Sequence, residues 1–216
     1  MRLSFLDCIT EKEKLSQLLT RPDAVCVVLY GRRRCGKSRL LQETLQKTDI
    51  YYIADQREAQ LQRAALAAEI ERIIPNFGGV NYPSWDSLWH NLNNTLQVPV
   101  TLAIDEFPYL VQSSPELPSM LRNFLDRTPQ RRFNLILCGS SQRMMQGLVL
   151  DAAEPLYGRV DEILKIDPLK PGWIQDALRL TQISAIEHYT VWGGVPRYWE
   201  KAIEYDNLKD AIINLV

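Results

Sequence analysis

The sequence predicts an α/β domain built around a parallel sheet. Three observations carry this: apolar runs of strand length, amphipathic helical stretches between them, and a glycine-rich loop leading from the first run into a helix. Four runs stand out, at 24–30, 100–104, 133–138 and 160–166. The first three are nearly continuous in apolar residues, as strands covered on both faces are. A fifth, weaker candidate at 50–54 is aromatic and β-branched.

The helical stretches follow in order. Residues 11–19 place Leu15, Leu18 and Leu19 at helical spacing, and 37–46 place Leu40, Leu41 and Leu45 on one face. The stretch 56–74 is alanine-rich with a polar face. Residues 85–96 carry Trp85, Leu88, Trp89 and Leu92 at i, i+3, i+4 and i+7, and 117–126 carry Leu117, Met120, Leu121, Phe124 and Leu125. Strand alternating with helix implies right-handed crossovers and a parallel sheet. Past Ile166 the pattern changes. Residues 167–172 are turn-rich, with Pro168, Pro171 and Gly172, and beyond them only helices are expected, at 173–180, 184–192, 196–203 and 207–216. The expected division is a sheet core over 1–167 and a small helical appendage over 168–216. The apolar ending Ile-Asn-Leu-Val has no capping signal, so a natural chain continuing past 216 is expected.

Composition narrows the function. A chain of 216 residues is one domain with at most a satellite, and 46% hydrophobic with 24% charged residues is ordinary for a globular protein. The net charge is -1, so no bulk positive field draws in nucleic acid, although 17 Arg against 8 Lys favour the side chain suited to bidentate phosphate contacts. No apolar run reaches the roughly 20 residues of a membrane span, and the start has no secretory signature. Four cysteines without C-x-x-C spacing and two histidines argue against structural zinc. A reduced, cytoplasmic setting is expected. Cys26 and Cys138 read as small core hydrophobes. His90 and His188 read as core-edge or surface residues, and Trp85 and Trp89 as helix-to-sheet packing.

The chemistry lies at the strand ends. Gly31-Arg32-Arg33-Arg34-Cys35-Gly36-Lys37-Ser38 fits G-x-x-x-x-G-K-S/T, the phosphate-binding loop, between a strand and a helix as its mechanism requires. Gly31 and Gly36 let the backbone wrap an anion. The amide groups then form a nest at the positive end of the helix. Lys37 bridges the outer phosphates of a nucleotide, and the Ser38 hydroxyl suits Mg2+, a hard ion that takes oxygen ligands. Gly31, Arg34, Cys35, Gly36, Lys37, Ser38 and Arg39 are thus the expected nucleotide-binding set, although the side chains of Arg32 to Arg34 are expected to face solvent or a partner. Cys35 is expected to be inert. The strand 100–104 ends in Asp105 and Glu106: Asp105 is expected to hold Mg2+ through its waters, and Glu106 to orient or deprotonate an attacking water. Leu137-Cys138-Gly139-Ser140-Ser141 places two hydroxyls past another buried strand. Ser141 first, and Ser140 second, can reach the γ-phosphate or the water; otherwise they cap the next helix, 142–148.

Together, GRRRCGKS, TLAIDEFPYL, LCGSS, EPLYGRVDEILKIDPL and WGGVPRYWE resemble, in order and over nearly the whole chain, the archaeal-type AAA+ ATPases of prokaryotes. These are often fused to winged-helix and nuclease-like domains. In that family's terms GRRRCGKS is the Walker A motif and Asp105-Glu106 closes the Walker B motif. The family's aromatic-x-Asp-Arg-Glu-x-Glu opening is partly kept: Phe5, Asp7, Glu11 and Leu15 fit, whereas Cys8 and Ile9 stand where Arg and Glu are usual. The resemblance implies a strand order of 5-1-4-3-2, a helical lid, ATP or ADP as ligand and Mg2+ as cofactor. It also implies two arginine roles. Arg159 matches the region of a finger reaching a neighbouring subunit's γ-phosphate, which requires self-association or a partner protein; otherwise it pairs locally with Asp161 or Glu162. Arg197 matches the lid's sensor arginine, or else is an exposed first-turn residue. Trp192, Tyr198 and Trp199 read as lid core. DNA is expected as a partner only through domains beyond 216. Two functions stand: ATP hydrolysis coupled to lid movement, or an ADP-holding switch with negligible turnover. A P-loop kinase is disfavoured by the acid pair and by the lack of an Arg-rich lid over the phosphates.

Overall fold

A computed structural model describes residues 8–215; Phe5 and Asp7 of the opening pattern lie outside the described residues. In chain order the elements are α1 (Ile9–Leu19), β1 (Cys26–Gly31), α2 (Lys37–Thr44), β2 (Ile50–Ile53), α3 (Ala59–Glu71), α4 (Trp85–Thr95), β3 (Val100–Asp105) and α5 (Phe107–Ser113). There follow α6 (Leu117–Arg127), β4 (Phe133–Gly139), α7 (Gln142–Val149), β5 (Glu162–Ile166), α8 (Pro171–Leu178), α9 (Gln182–Trp192), α10 (Pro196–Ala202) and α11 (Leu208–Leu215). Every expected strand and helix is present within a few residues of its predicted bounds. The addition is α5, a seven-residue helix that the sequence hid behind Pro108, which the first turn accommodates because its missing N–H has no helical partner there.

All strand pairs are parallel and the order is β2-β3-β4-β1-β5, the expected 5-1-4-3-2. The three central strands are buried along their whole length, which explains their unbroken apolar runs. Successive side chains alternate between two cores. On one face Val28, Tyr52, Ile104 and Leu137 pack with Leu66, Trp85, Trp89 and Phe124 from α3, α4 and α6. On the other, Val27, Leu29, Ala103 and Ile136 pack with Leu15, Leu18, Leu40 and Leu41 from α1 and α2. Cys26 and Cys138 are fully buried as expected, and burial pushes both thiols up, Cys26 to about 12. Trp85 and Trp89 stack at 5.6 Å between centroids, and Trp85 Nε1 donates to Ser114 Oγ at 2.9 Å.

One buried polar side chain in a strand has a clear task. Asn134 Oδ1 accepts from Val25 N at 3.0 Å, while its Nδ2 donates to Leu19 O at 3.3 Å. It thus pins the end of α1 and the entry to β1 onto β4.

The C-terminal helices have their own core of Leu169, Ile174, Ala185, Trp192, Trp199, Ala202 and Ala211. Trp192 and Trp199 are buried in it as expected, whereas Tyr198 is 38% exposed. The turn-rich segment 167–172 is fastened rather than loose. Leu169 is buried, its N–H donates to Gly194 O at 2.8 Å, and its carbonyl accepts from Tyr189 Oη at 2.9 Å. Val195 then leaves this bundle to join the sheet core over α1 and α2. Gly194 is required by contact: a Cβ there would lie 2.1 Å from Leu169 O.

Two consequences follow for stability. Gly194→Ala should lower stability by about 1–3 kcal/mol through overpacking, read as a lower midpoint in chemical denaturation. His188 is buried in α9, its Nδ1 lacks a partner among the described residues, and burial lowers its pKa from 6.5 despite Glu187. The unfolded chain therefore takes up this proton at a higher pH than the fold does. Stability from neutral His188 should be present above pH about 6.5 and decline as pH falls towards the depressed folded pKa. His188→Leu should flatten that part of the denaturation-midpoint profile, and an unchanged slope would count against the assignment.

Candidate nucleotide site

The sheet register brings Gly31, Asp105 and Gly139 to one edge, at the carboxyl ends of β1, β3 and β4, with β4 in the middle. This edge is where open α/β sheets bind ligands. β1 leads into the loop at 32–36 and α2 begins at Lys37. Gly36 has φ +96° and Arg34 φ +68°, so the loop turns through left-handed geometry twice, once on a residue that tolerates it poorly. The clash that Gly31 avoids is with the neighbouring strand: a Cβ would sit 2.2 Å from Ile166 O. Its lack of a side chain is thus explained by strand packing, beyond the anion wrapping anticipated from the motif. The first helical bond of α2 runs from Leu40 N to Gly36 O. The amides of Lys37, Ser38 and Arg39 precede it and are available to an anion.

Lys37 is buried under the loop, where Nζ donates to Gly31 O at 3.0 Å and Arg32 O at 3.1 Å. Ser38 Oγ donates to Asp105 Oδ2 at 2.5 Å, joining the two motifs directly. The other oxygen, Asp105 Oδ1, accepts from Glu106 N at 2.9 Å. Glu106 itself sits at φ +54°, a strained setting for a non-glycine residue and one that clusters at functional sites. Its carboxylate accepts from Ser140 Oγ at 2.9 and 2.8 Å. Of the two serines, Ser140 is therefore the one that touches the acid. Ser141 stands at the amino end of α7 without a side-chain cap bond.

The remaining expected residues are distributed as follows. The Cys35 thiol is buried; burial pushes it up, against the pull of Lys37 and Arg32. Arg39 pairs with Glu43 one turn along α2, at 2.9 Å, so its side chain faces along the helix and only its backbone amide faces the loop. Arg34 is exposed as expected, and its guanidinium lies over the ring of Tyr198 in α10, 5.9 Å from the centroid. Next to it, Arg197 pairs with Glu200 at 2.9 Å, at the start of a helix that adjoins the loop.

Arg159 is distant. It lies before β5, at the sheet edge where Asp161 N donates to Cys26 O, and the six residues of β1 separate that edge from the loop by about 20 Å. Its Nε donates to Asp126 at 2.9 Å. The local acid is thus Asp126 of α6, and Asp161 is taken by Cys26 N at 2.7 Å.

Tyr51 escaped the sequence reading. Its hydroxyl donates to Asp105 Oδ2 at 2.7 Å, beside Ser38. Burial and the adjacent Asp105 push its pKa well above 10, so the hydroxyl keeps its proton and donates. No motif spacing links residues 51 and 105; only the pairing of β2 with β3, with Ile53 opposite Asp105, brings them together.

The oxygens of Ser38 and Asp105, converging beside the available amides of the first turn of α2, are the donor set that a hard divalent cation held with nucleotide phosphates takes. The family comparison agrees with this geometry: residues 5–201 match the family described as an ATPase domain predominantly from Archaea. The chain belongs to that ATPase family. An uncharacterized protein of Methanocaldococcus jannaschii is 31% identical over 200 residues, covering 91% of this chain and 44% of its own length, so the ATPase domain spans less than half of that relative. Among solved structures, the Walker-type ATPase of Pyrococcus abyssi superposes with a TM-score of 0.68 at 20% identity, covering 97% of this chain and 71% of the other. The ADP form of the Aeropyrum pernix ORC2 protein gives 0.68 at 15% identity, covering 99% and 70%. A Pyrococcus horikoshii signal-transduction ATPase with numerous domains gives 0.63 at 13%, covering 99% and 32%. These likenesses establish the P-loop AAA+ fold of the ATPase domain. Among the described residues, no helix is long and apolar enough to cross a membrane.

Proposed function

We propose that this ATPase domain binds ATP with Mg2+ and hydrolyses it, residues 1–167 acting as the nucleotide-binding core and 168–216 as a lid that responds to nucleotide state. The observation that carries the reading is the contact of the two motifs, Ser38 Oγ on Asp105 Oδ2, with Glu106 and Ser140 beside it. Lys37 exchanges its loop carbonyls for phosphate oxygens, and the amides of the loop and of the first turn of α2 take the rest. Ser38 and Asp105 are the residues that would hold Mg2+, which when bound would neutralise charge on the nucleotide phosphates. Glu106 orients the attacking water and takes its proton, with Ser140 fixing the carboxylate and Ser141 facing the γ-phosphate side. Arg197 links the nucleotide to the lid, and Arg34 on Tyr198 gives the phosphate loop a contact of its own with α10. Arg159, distant from its own loop, acts in a neighbour's site, so that catalysis at full rate needs self-association or a partner protein; otherwise it serves only its local pair with Asp126.

A second reading, an ADP-holding switch with negligible turnover, is favoured by one feature. Both candidate catalytic groups are engaged, Glu106 by Ser140 and Arg159 by Asp126. Release of those contacts would then be the regulated event.

Lys37→Ala should abolish binding of a fluorescent ATP analogue. Glu106→Gln should bind it normally and lose turnover by about 100-fold or more; normal turnover in that variant overturns Glu106 as the base. Specific activity of the wild type should rise with protein concentration, and Arg159→Ala should remove the rise while leaving nucleotide affinity unchanged. A concentration-independent rate would remove the trans role, and no turnover at any concentration would favour the switch.

A further inference from the structure

We infer that Tyr51 is a positioning residue that holds Asp105 in a one-oxygen presentation and so makes nucleotide binding selective for Mg2+ over Ca2+. The inference rests on the nucleotide reading above and concerns a residue that neither motif contains.

The geometry is specific. Asp105 is 3% exposed, and both of its oxygens are fastened. Oδ1 accepts from Glu106 N at 2.9 Å, and Oδ2 accepts from Tyr51 Oη at 2.7 Å together with Ser38 Oγ. When Ser38 turns to a cation, the other two bonds remain and still fix the plane of the carboxylate. Rotation to offer both oxygens at once would break the bond from Tyr51 and the bond from Glu106 N.

That restriction separates two ions by their coordination habits. Mg2+ is small and octahedral, keeps several waters and uses few carboxylate oxygens, whereas Ca2+ takes six to eight ligands and readily accepts a carboxylate through both oxygens. A carboxylate locked in a single orientation serves the first and withholds a ligand from the second.

The hydroxyl is spent on the group around Asp105, where it also lies beside Ser38. The ring of Tyr51 packs against the core over α1 and α2, which a phenylalanine ring would fill as well. The next residue supplies an internal comparison. Tyr52 points to the opposite face of the sheet, where its hydroxyl donates to Gln62 Oε1 at 3.1 Å.

The test measures binding of a fluorescent ADP analogue to the purified 216-residue chain, without metal and in titrations with MgCl2 or CaCl2. Tyr51→Phe should keep the wild-type metal-free affinity, lower the melting temperature by the loss of one donor to a buried carboxylate, and lower the ratio of Mg2+- to Ca2+-supported affinity by about tenfold, the scale of one hydrogen bond to a charged group. Tyr52→Phe should leave the ratio unchanged. A Tyr51→Phe chain with the wild-type ratio overturns the role of Tyr51 and leaves the metal site standing. A lowered melting temperature with the ratio unchanged assigns the hydroxyl to structure alone. Metal-independent binding by the wild type overturns the metal site itself, and the role of Tyr51 with it.

Discussion

A carboxylate buried away from water is costly unless its oxygens are satisfied, and the arrangement around Asp105 follows from that requirement. Three of its donors come from separate parts of the chain: Ser38 on α2, Tyr51 on β2 and the amide of Glu106 at the entry to α5. The phosphate-loop helix, the edge strand and the turn after β3 are therefore held in mutual position by one side chain. The same condition helps keep Glu106 in its left-handed conformation, since the amide that reaches Asp105 Oδ1 belongs to that residue. Strain at Glu106 and satisfaction of Asp105 are two aspects of one local solution.

Much of this was legible in the sequence because it is local. The buried strands announced themselves as apolar runs, and the phosphate loop announced itself by glycine spacing with Lys37 and Ser38. The acids were recognisable by their place at a strand end. The strand order came from the family resemblance rather than from periodicity, because helix-covered strands look alike whichever neighbour they pair with. What stayed hidden depends on register and side-chain direction. Tyr51 resembles any aromatic residue of an edge strand until β2 is laid against β3. The choice between Ser140 and Ser141 turns on which hydroxyl the end of β4 directs at Glu106, a matter of one residue in phase. The partner of Arg159 is Asp126, distant in sequence, so the nearer acids at 161 and 162 misled.

Arginine-rich loops invite an electrostatic reading, yet here one of the three arginines serves the fold's geometry. Arg34 adopts a positive φ and, while exposed, meets Tyr198, so its guanidinium touches the C-terminal helices as well as solvent. Lys37 is turned under the loop by two carbonyls. Charge count alone could not distinguish these settings, since the overall balance is close to neutral.

The passage of Val195 from its own bundle into the sheet core has an energetic corollary. Among the described residues, lifting α8–α11 away from the sheet would expose Val195, about 1.5–3 kcal/mol, and part Arg34 from Tyr198 for a further ~0.5–1 kcal/mol. The pairing of Leu169 with Gly194 travels with the bundle and is kept, so the backbone rotation falls on the two residues Asp167 and Pro168. On the proposed reading of 168–216 as a lid, a separation of that cost would populate a parted form on the order of one molecule in a hundred. From that level a ligand would have to favour the parted form about 100-fold to bring the two to parity.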